Sequence, residues 1–162
     1  MGLNMVLPLR LRRLAALDTA QIVEHLLTLN ADDRHARFSA LVSNQGIADY
    51  VGRINYRRDL CIGAMSPHFG LLGFIHLAFY GTSAELGASV ASEWRQRGIG
   101  RALFARALRM GRALGLREIH LASGHPAARH ICASLGCKVV LGDGYPRARV
   151  YLRPSAQERI AA

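Results

Sequence analysis

Three apolar segments joined by short turns constrain the fold of this chain more than any other feature of its sequence. They occupy residues 60–65, 71–80 and 84–91, and turn-forming residues at 66–68 and 81–82 separate them. A connection this short joins antiparallel neighbours, because parallel neighbours need a crossover of about a dozen residues or more. The middle of the chain is therefore predicted to form an antiparallel meander of three strands.

Helices are predicted on the N-terminal side of this meander. Residues 3–14 suit a first strand, and Asp18 can cap a helix whose apolar residues recur at 22, 26 and 29. A second helix is predicted to start at Ser43 or Asn44, where apolar residues again follow helical spacing.

The helical period returns after residue 98. A stripe of apolar residues from Ile99 to Leu114 predicts a long helix that Gly115 ends. The remaining predicted elements are a strand at 118–122, a helix at 126–135 and strands at 139–141 and 148–152. The order β-α-α-β-β-β-α-β-α-β-β predicts an α/β (α+β) fold with a mixed, mostly antiparallel central sheet flanked by about four helices.

Length and composition favour one domain over residues 1–162, with 155–162 as a loose tail. The longest nearly apolar stretch, residues 70–81, is too short to span a membrane, and the leucine-rich start lacks the unbroken apolar run of a signal peptide. The three cysteines are an odd number without a CxxC pair, which argues for a reducing compartment. We expect a cytoplasmic protein with no membrane partner.

The formal net charge of +10 predicts a polyanionic partner. Seven arginines fall within residues 95–117, where there is no acidic residue, so the charge is concentrated around one loop and the helix behind it. That concentration suits a compact phosphate ligand. Nucleic acid is the alternative, but aromatic residues make up only 7% of the chain, which argues against the stacking that single strands require.

The segment 90–101 is the strongest functional signal. A predicted strand ends there, a basic loop follows, and Gly98 and Gly100 stand where a long helix begins. The first turn of a helix presents unpaired N–H groups and the positive end of the helix dipole, and glycine leaves them open to an anion. Arg95, Arg97 and Arg101 add positive charge. The segment therefore predicts a pyrophosphate site.

Two familiar phosphate-binding motifs fit this segment poorly. A P-loop needs Gly-Lys followed by Ser or Thr, and the segment contains no lysine. A dinucleotide-binding fingerprint needs a third glycine where Leu103 stands.

The segment does resemble one known family. Arg95-Gln96-Arg97-Gly98-Ile99-Gly100 is similar to the Arg/Gln-x-x-Gly-x-Gly/Ala signature of the GNAT superfamily of N-acetyltransferases, which binds the coenzyme A pyrophosphate and also lies between a fourth strand and a helix. The resemblance covers about residues 84–138 and implies a GNAT-like fold with acetyl-CoA as the acyl donor. The cofactor-binding residues it implies are Val90, Ala91, Arg95, Gln96, Arg97, Gly98, Ile99, Gly100, Arg101, His125 and Cys132.

The predicted helix at 126–135 departs from the family pattern. The family has Asn, Ala, an apolar residue, Tyr and then Gly-Phe, and the matching positions here are His125, Ala128, Ile131, Cys132 and Gly136-Cys137. In the family that Tyr can protonate the departing CoA thiolate, but a thiol on Cβ has a much shorter reach. We predict that Cys132 is not essential and that water, Ser134 or Tyr145 assists the thiolate instead.

Glu85 is the predicted catalytic base, because family members often carry a functional carboxylate in this strand. If residues 81–82 form a two-residue turn, Glu85 lies opposite Ala78, with His76 and Tyr80 as diagonal neighbours on the same face, and the three could form a proton relay. A surface carboxylate without a role is the alternative. The N–H groups near Val90 and Ala91 are where the family polarises the thioester carbonyl.

Gly87 could provide a bulge that splays the fourth strand to admit the pantetheine arm.

Metal binding is not expected. His125, His130, Cys132 and Cys137 are suitable ligand types, but the two histidines diverge by about 140° around a helix, so four ligands would not converge.

The predicted function is transfer of an acetyl group from acetyl-CoA to a primary amine by direct attack. The sequence does not distinguish between small amines, antibiotics, amino acids, peptide N-termini and protein lysines as the acceptor. It also leaves the length of the acyl chain undetermined, and a homodimer is possible. The alternatives are a catalytically silent acetyl-CoA-binding or sensor module, and a nucleic-acid-binding domain.

Overall fold

A mixed seven-stranded sheet forms the centre of the structure. The structure is a computed structural model, and it describes residues 8–142 and 147–152. Its strands, in chain order from β1 to β7, are Arg10–Arg13, Leu60–Ser66, Gly70–Tyr80, Ser83–Val90, Glu118–Leu121, Lys138–Leu141 and Ala148–Tyr151. The spatial order is β1-β2-β3-β4-β5-β7-β6, and only β4 and β5 run parallel. The predicted mostly antiparallel sheet is confirmed.

Five α-helices accompany the sheet in the described residues. In chain order from α1 to α5 they are Thr19–Leu27, Ala31–Phe38, Asn44–Gly52, Ile99–Ala113 and Pro126–Ser134. Ser43 caps α3, since its side chain accepts a hydrogen bond from the N–H of Gly46. Among these helices none is both long enough and apolar enough to cross a bilayer.

Helix α2 corrects the predicted element order, which lacked it. Its sequence, Ala31–Phe38, contains two acids, two arginines and one histidine, so it has no apolar stripe that could reveal a helix. Asn30 starts the helix instead, because its Oδ1 accepts a hydrogen bond of 2.8 Å from the N–H of Asp33.

The meander of β2, β3 and β4 has the predicted connections. Tyr80 pairs with Ser83 across a two-residue turn, and Ala78 pairs with Glu85. The register between β3 and β4 is unbroken through Gly87, so the expectation of a bulge at that glycine is wrong. The irregularity in the meander lies between β2 and β3, at Ala64/Met65.

Each face of the sheet carries its own apolar core. Alternate residues of β3 divide between them: Ile75 and Leu77 pack on the side of α4, and Phe74 packs on the side of α1 and α3. On the α4 side, Leu103 and Ala107 are fully buried, as the predicted helical stripe requires.

The sheet opens between its two parallel strands. β4 pairs with β5 only as far as Leu86 and Leu121, and β4 then continues to Val90 while β5 has ended. Helix α2 lies across this gap, and the hydroxyl of Ser39 at its C-terminal cap donates to the carbonyl oxygen of Ala122 at 2.9 Å. The gap is where a ligand can reach the backbone of β4.

A buried histidine links α1 to the open end of β4. His25 is 3% exposed, its Nε2 lies 2.8 Å from Oγ of Ser89, and burial lowers its pKa from 6.5 to about 4. Between these values the unfolded chain binds a proton that the folded protein does not, so stability falls as the pH falls.

We therefore expect His25 to cost the protein about 3 kcal/mol of unfolding free energy between pH 6.5 and pH 4. Urea unfolding of the unaltered protein and of His25→Gln across that range measures the contribution, since the variant carries no titrating group there. Equal pH dependence in the two proteins would contradict it.

Candidate active site

The start of α4 forms a cradle of unpaired N–H groups. Gly98 precedes the helix with φ of 82°, and the first helical hydrogen bond runs from the N–H of Ala102 to the Gly98 carbonyl at 3.0 Å. The N–H groups of Ile99, Gly100 and Arg101 therefore have no partner one turn earlier. Together with the helix dipole they form a site for an anion.

Gly100 leaves this cradle open. A Cβ at this position would lie 3.8 Å from both Ile131 and Val90, which is an ordinary van der Waals distance. A longer side chain would occupy the space that glycine leaves free. Gly98 is favoured for its backbone conformation, since a residue with a side chain would be strained at this positive φ. The residues present fit a phosphate group at this helix start.

Arg97 and Arg101 supply positive charge beside the cradle. The guanidinium of Arg97 lies 4.8 Å from the ring centroid of Trp94, and Nη1 of Arg101 donates to Oγ of Ser134. Within residues 8–142 and 147–152 neither arginine forms an ion pair with an acid. Both charges are available to a bound anion.

Arg95, which was predicted to add charge to the pyrophosphate site, forms an ion pair with an acid. Its Nη2 lies 3.0 Å from Oδ2 of Asp33 on α2, and its Nε donates to the Val90 carbonyl at 3.0 Å. Its charge is thus already paired, and the side chain connects the cradle loop to α2.

A cleft of about 460 Å³ starts at the cradle and follows the open edge of β4. Val90 and Gly87 form its floor, and Ala36 and Arg37 of α2 are among the residues that wall its other end. The predicted cofactor-binding residues that line it are Val90, Arg95, Gln96, Gly98, Ile99, Gly100, Arg101 and His125. The predicted residues Ala91, Arg97 and Cys132 are not among its described lining.

The backbone of β4 offers N–H groups to this cleft. The N–H of Ala91 donates to the Leu72 carbonyl at 2.9 Å, so it points toward β3 and away from the cleft. Because hydrogen bonding alternates along an antiparallel pair, the N–H groups of Ala88 and Val90 point to the opposite side, where β5 has ended. The predicted pair Val90 and Ala91 is therefore replaced by Ala88 and Val90.

Glu85, His76 and Tyr80 share a sheet face, as their register requires, but they do not form one hydrogen-bonded cluster. Glu85 and Tyr80 are exposed, whereas His76 is 7% exposed and bonds to other residues. The predicted relay through His76 is not formed.

His76 belongs instead to a buried chain of four polar residues. Its Nε2 lies 2.9 Å from Oδ2 of Asp59, its Nδ1 lies 2.5 Å from the hydroxyl of Tyr50, and that hydroxyl accepts a hydrogen bond of 2.7 Å from Nη2 of Arg37. Burial lowers the pKa of His76, and hydrogen bonds from Arg58 and His76 lower the pKa of Asp59 although desolvation opposes them. At neutral pH His76 is thus neutral and donates to ionised Asp59, while Tyr50 donates to its Nδ1.

Sequence reasoning missed Arg37 and Tyr50. No local pattern shows that the hydroxyl of Tyr50 on α3 meets His76, since the two residues are distant in sequence. Arg37 lies on the helix that was missed. Asn30 followed by two acids is a helix-start signature that could have found that helix.

Comparison with known proteins identifies this architecture. Residues 23–137 match the family model described as the acetyltransferase (GNAT) family. The chain belongs to the GNAT acetyltransferase family. A search of curated proteins gives no significant match.

Solved structures share the GNAT fold at low sequence identity. The GNAT domain of S. lividans PAT is 14% identical, with 89% of each chain covered and a TM-score of 0.72. Spermidine N-acetyltransferase from Vibrio cholerae, in complex with CoA and spermine, is 24% identical over 89% of this chain and 94% of its own, with a TM-score of 0.64. Phosphinothricin acetyltransferase from Sinorhizobium meliloti, in complex with AcCoA, is 18% identical over 91% of each chain, with a TM-score of 0.65.

His125 stands where the GNAT pattern has Asn, and it caps α5. Its Nδ1 accepts a hydrogen bond of 3.2 Å from the N–H of Ala127, and Pro126 occupies the first helical turn. The imidazole thus performs the capping that an Asn side chain also performs. It lines the cleft at the same time.

Cys132 stands where the GNAT pattern has Tyr, and it is fully buried. The thiol packs in the core beneath α5, and burial raises its pKa to about 12. A buried thiol of this kind is a packing group rather than a proton donor at the cleft.

We therefore expect Cys132→Ala to keep turnover within about tenfold, a loss below roughly 1.4 kcal/mol of barrier. Steady-state kinetics with CoA affinity measured in parallel checks this. A hundredfold or greater loss with CoA binding intact would show that the thiol takes part in catalysis.

Among the described residues, no group of three or more His, Cys, Asp or Glu side chains could hold a metal ion.

Proposed function

We propose that this protein transfers an acetyl group from acetyl-CoA to a primary amine by direct attack of the amine on the thioester. The observation that carries the proposal is the continuous cleft from the anion cradle at Gly98–Arg101, along the open edge of β4, to the polar wall of α2. A donor with phosphates at one end and a reactive acyl group at the other matches that layout.

Donor binding is assigned to the cradle and its neighbours. The N–H groups of Ile99, Gly100 and Arg101 would hold the pyrophosphate, with charge from the Arg97 and Arg101 side chains. The N–H groups of Ala88 and Val90 would bind a carbonyl oxygen, since hydrogen-bond donors aimed at that oxygen stabilise the charge it gains during acyl transfer. GNAT relatives with CoA or AcCoA bound support this assignment.

Glu85 is proposed as the base that deprotonates the acceptor. It lies on the same face of β4 as Gly87, about 7 Å away along the strand, and is not among the described residues that line the cleft, so it would act through water. The proton for the departing thiolate would come from water or from Ser134, which lies beside Arg101. Tyr145, the other predicted donor, lies outside the described residues.

The proposed setting is the cytoplasm, with residues 1–162 acting as one domain. Three free cysteines, all buried, suit a reducing compartment. A homodimer is part of the same proposal and is measurable by light scattering.

A silent acetyl-CoA-binding module is the second candidate, because Cys132 provides no proton donor where the family has Tyr. It predicts saturable CoA binding without turnover.

A thiol-release assay separates the two candidates. Purified protein and acetyl-CoA are incubated with spermidine, free amino acids, a peptide or a lysine-rich protein, and free CoA thiol and acetylated product are measured. Amine-dependent thiol release with a matching N-acetyl product supports transfer. Saturable CoA binding without amine-dependent release in any acceptor class would overturn transfer and support the binding module.

A further inference from the structure

Arg37 is a buried cation at the acceptor end of the cleft. Its side chain comes from α2, is 9% exposed and lines the cleft opposite the cradle. A Cβ at Gly87 would overlap its guanidinium, so the absence of a side chain at Gly87 is what lets Arg37 rest on the floor of the cleft.

The positive charge of Arg37 has no acidic partner among the described residues. Nη2 donates to the Tyr50 hydroxyl, whereas the buried Nε has no hydrogen-bond acceptor in that part of the chain. The rings of Phe38 and Tyr50, with centroids 4.7 and 5.2 Å from Cζ, compensate some of the desolvation. Nη1 also forms no hydrogen bond to a described residue and, unlike Nε, it is not fully buried, so this cation can attract an anion from the cleft.

The buried chain described above fixes the guanidinium. Asp59 accepts a hydrogen bond from His76, His76 accepts one from Tyr50, and Tyr50 accepts one from Arg37. The three bonds run in the same direction along the chain, so the orientation of the guanidinium is fixed. A cation oriented in this way is suited to a planar, two-oxygen ligand such as a carboxylate.

The donor phosphates are too distant to be that ligand. Position 100 in the cradle adjoins Val90, and Gly87 lies about 10 Å from Val90 along an extended strand. The acceptor, rather than the donor pyrophosphate, is therefore in position to supply an anion to Arg37.

The charges of the cleft also disfavour a polycationic acceptor. The described lining contains one carboxylate, Asp33, and Arg95 already pairs with it. A polyamine would then meet Arg37, while Glu85, the other acid near this end, is not among the described lining residues.

We infer that Arg37 binds a carboxylate of the acceptor, so that the acceptor is an amine that also carries a carboxylate, such as an amino acid or a peptide with a free carboxylate near its amine. This inference rests on the proposed function, and it assigns Arg37 as the residue that sets acceptor specificity.

Paired acceptors test the inference. Amino acids with a primary α-amine are compared with their carboxamides, and kcat/KM is measured for the unaltered protein, Arg37→Met and Arg37→Lys. The rates are expressed per neutral amine, because the carboxamide has the lower amine pKa. We expect the best carboxylate to exceed its carboxamide by at least about 100-fold, because a site built for a polar group rejects the analogue that lacks it. Arg37→Met should remove that preference through a higher KM for the carboxylate, and Arg37→Lys should restore part of it.

Arg34→Met is the matched control. Arg34 lies on the same helix and donates to the carbonyls of Leu29 and Val42, so its loss should lower stability but leave the carboxylate preference unchanged. CoA affinity, measured by calorimetry, should be the same in all four proteins.

A second readout does not need turnover. Calorimetry of the CoA-loaded protein with N-acetyl amino acids and N-acetyl amino amides should show binding of the acid alone, and Arg37→Met should weaken it at least about tenfold. If no amine is acetylated, the proposed function fails and this binding comparison alone decides the role of Arg37. Equal use of acid and amide, preference for spermidine, or a change in CoA affinity in Arg37→Met would overturn the inference.

Discussion

Gly100→Glu is expected to bind CoA at least about 100-fold more weakly than the unaltered protein, a loss of about 2.7 kcal/mol. The new carboxylate would stand in the first turn of α4, where the N–H groups of Ile99 and Arg101 now face the cleft. It would both occupy the anion site and repel the pyrophosphate. Titration calorimetry with CoA measures the effect directly.

The fold of Gly100→Glu should survive the substitution. Position 100 has room for a Cβ, and an acid in the first turn of a helix interacts favourably with the helix dipole. Gly100→Ala and Gly100→Gln are the matched controls, because the first adds only a methyl group and the second adds the length of Glu without its charge. A folded Gly100→Glu protein with unchanged CoA affinity would show that the pyrophosphate binds elsewhere.

Glu85→Gln is expected to lower turnover by about 10²–10⁴-fold, the usual range for loss of a general base, with little change in CoA affinity. The carboxylate lies on β4, upstream of the cradle, and bonds to no other described side chain, so its loss should leave the donor site intact. The rate of the variant should also rise more steeply with pH, because only amine that is already neutral then reacts.

Glu24→Gln is the control for Glu85→Gln. Glu24 is an exposed acid on α1 and changes the net charge by the same amount. Full turnover by Glu85→Gln at neutral pH would assign Glu85 to the solvated surface, and a similar loss in both variants would indicate an effect of overall charge.

The fold could be predicted from the sequence wherever local patterns carry it. The two-residue turn at Gly81-Thr82 set the register that places Glu85 opposite Ala78, and the apolar stripe that starts at Ile99 identified α4. Helix α2 was not predicted because five of its eight residues are acids, arginines or histidine and leave no apolar stripe. Its position depends on the contact of Ser39 with Ala122, which are far apart in sequence.

The candidate site also has one part that the sequence predicts and one part that it does not. The cradle is a local feature of a glycine-containing helix start, so the segment 95–101 predicts it. The acceptor end is assembled from three separate segments, since Arg37, Tyr50 and His76 meet only in the folded chain. Gly87 shows what local sequence cannot predict. Its place in a strand suggested a bulge, but the space it provides is filled by the Arg37 side chain from α2.

The packing of Arg37 against Gly87 has an evolutionary consequence. An added Cβ at position 87 would overlap the guanidinium, which would then have to leave the floor of the cleft. In homologous sequences, a shorter side chain at position 37 should be more frequent where position 87 carries a residue larger than glycine. Covariation of these two positions would then separate homologues by acceptor chemistry, while the segment 98–101 stays common to all of them.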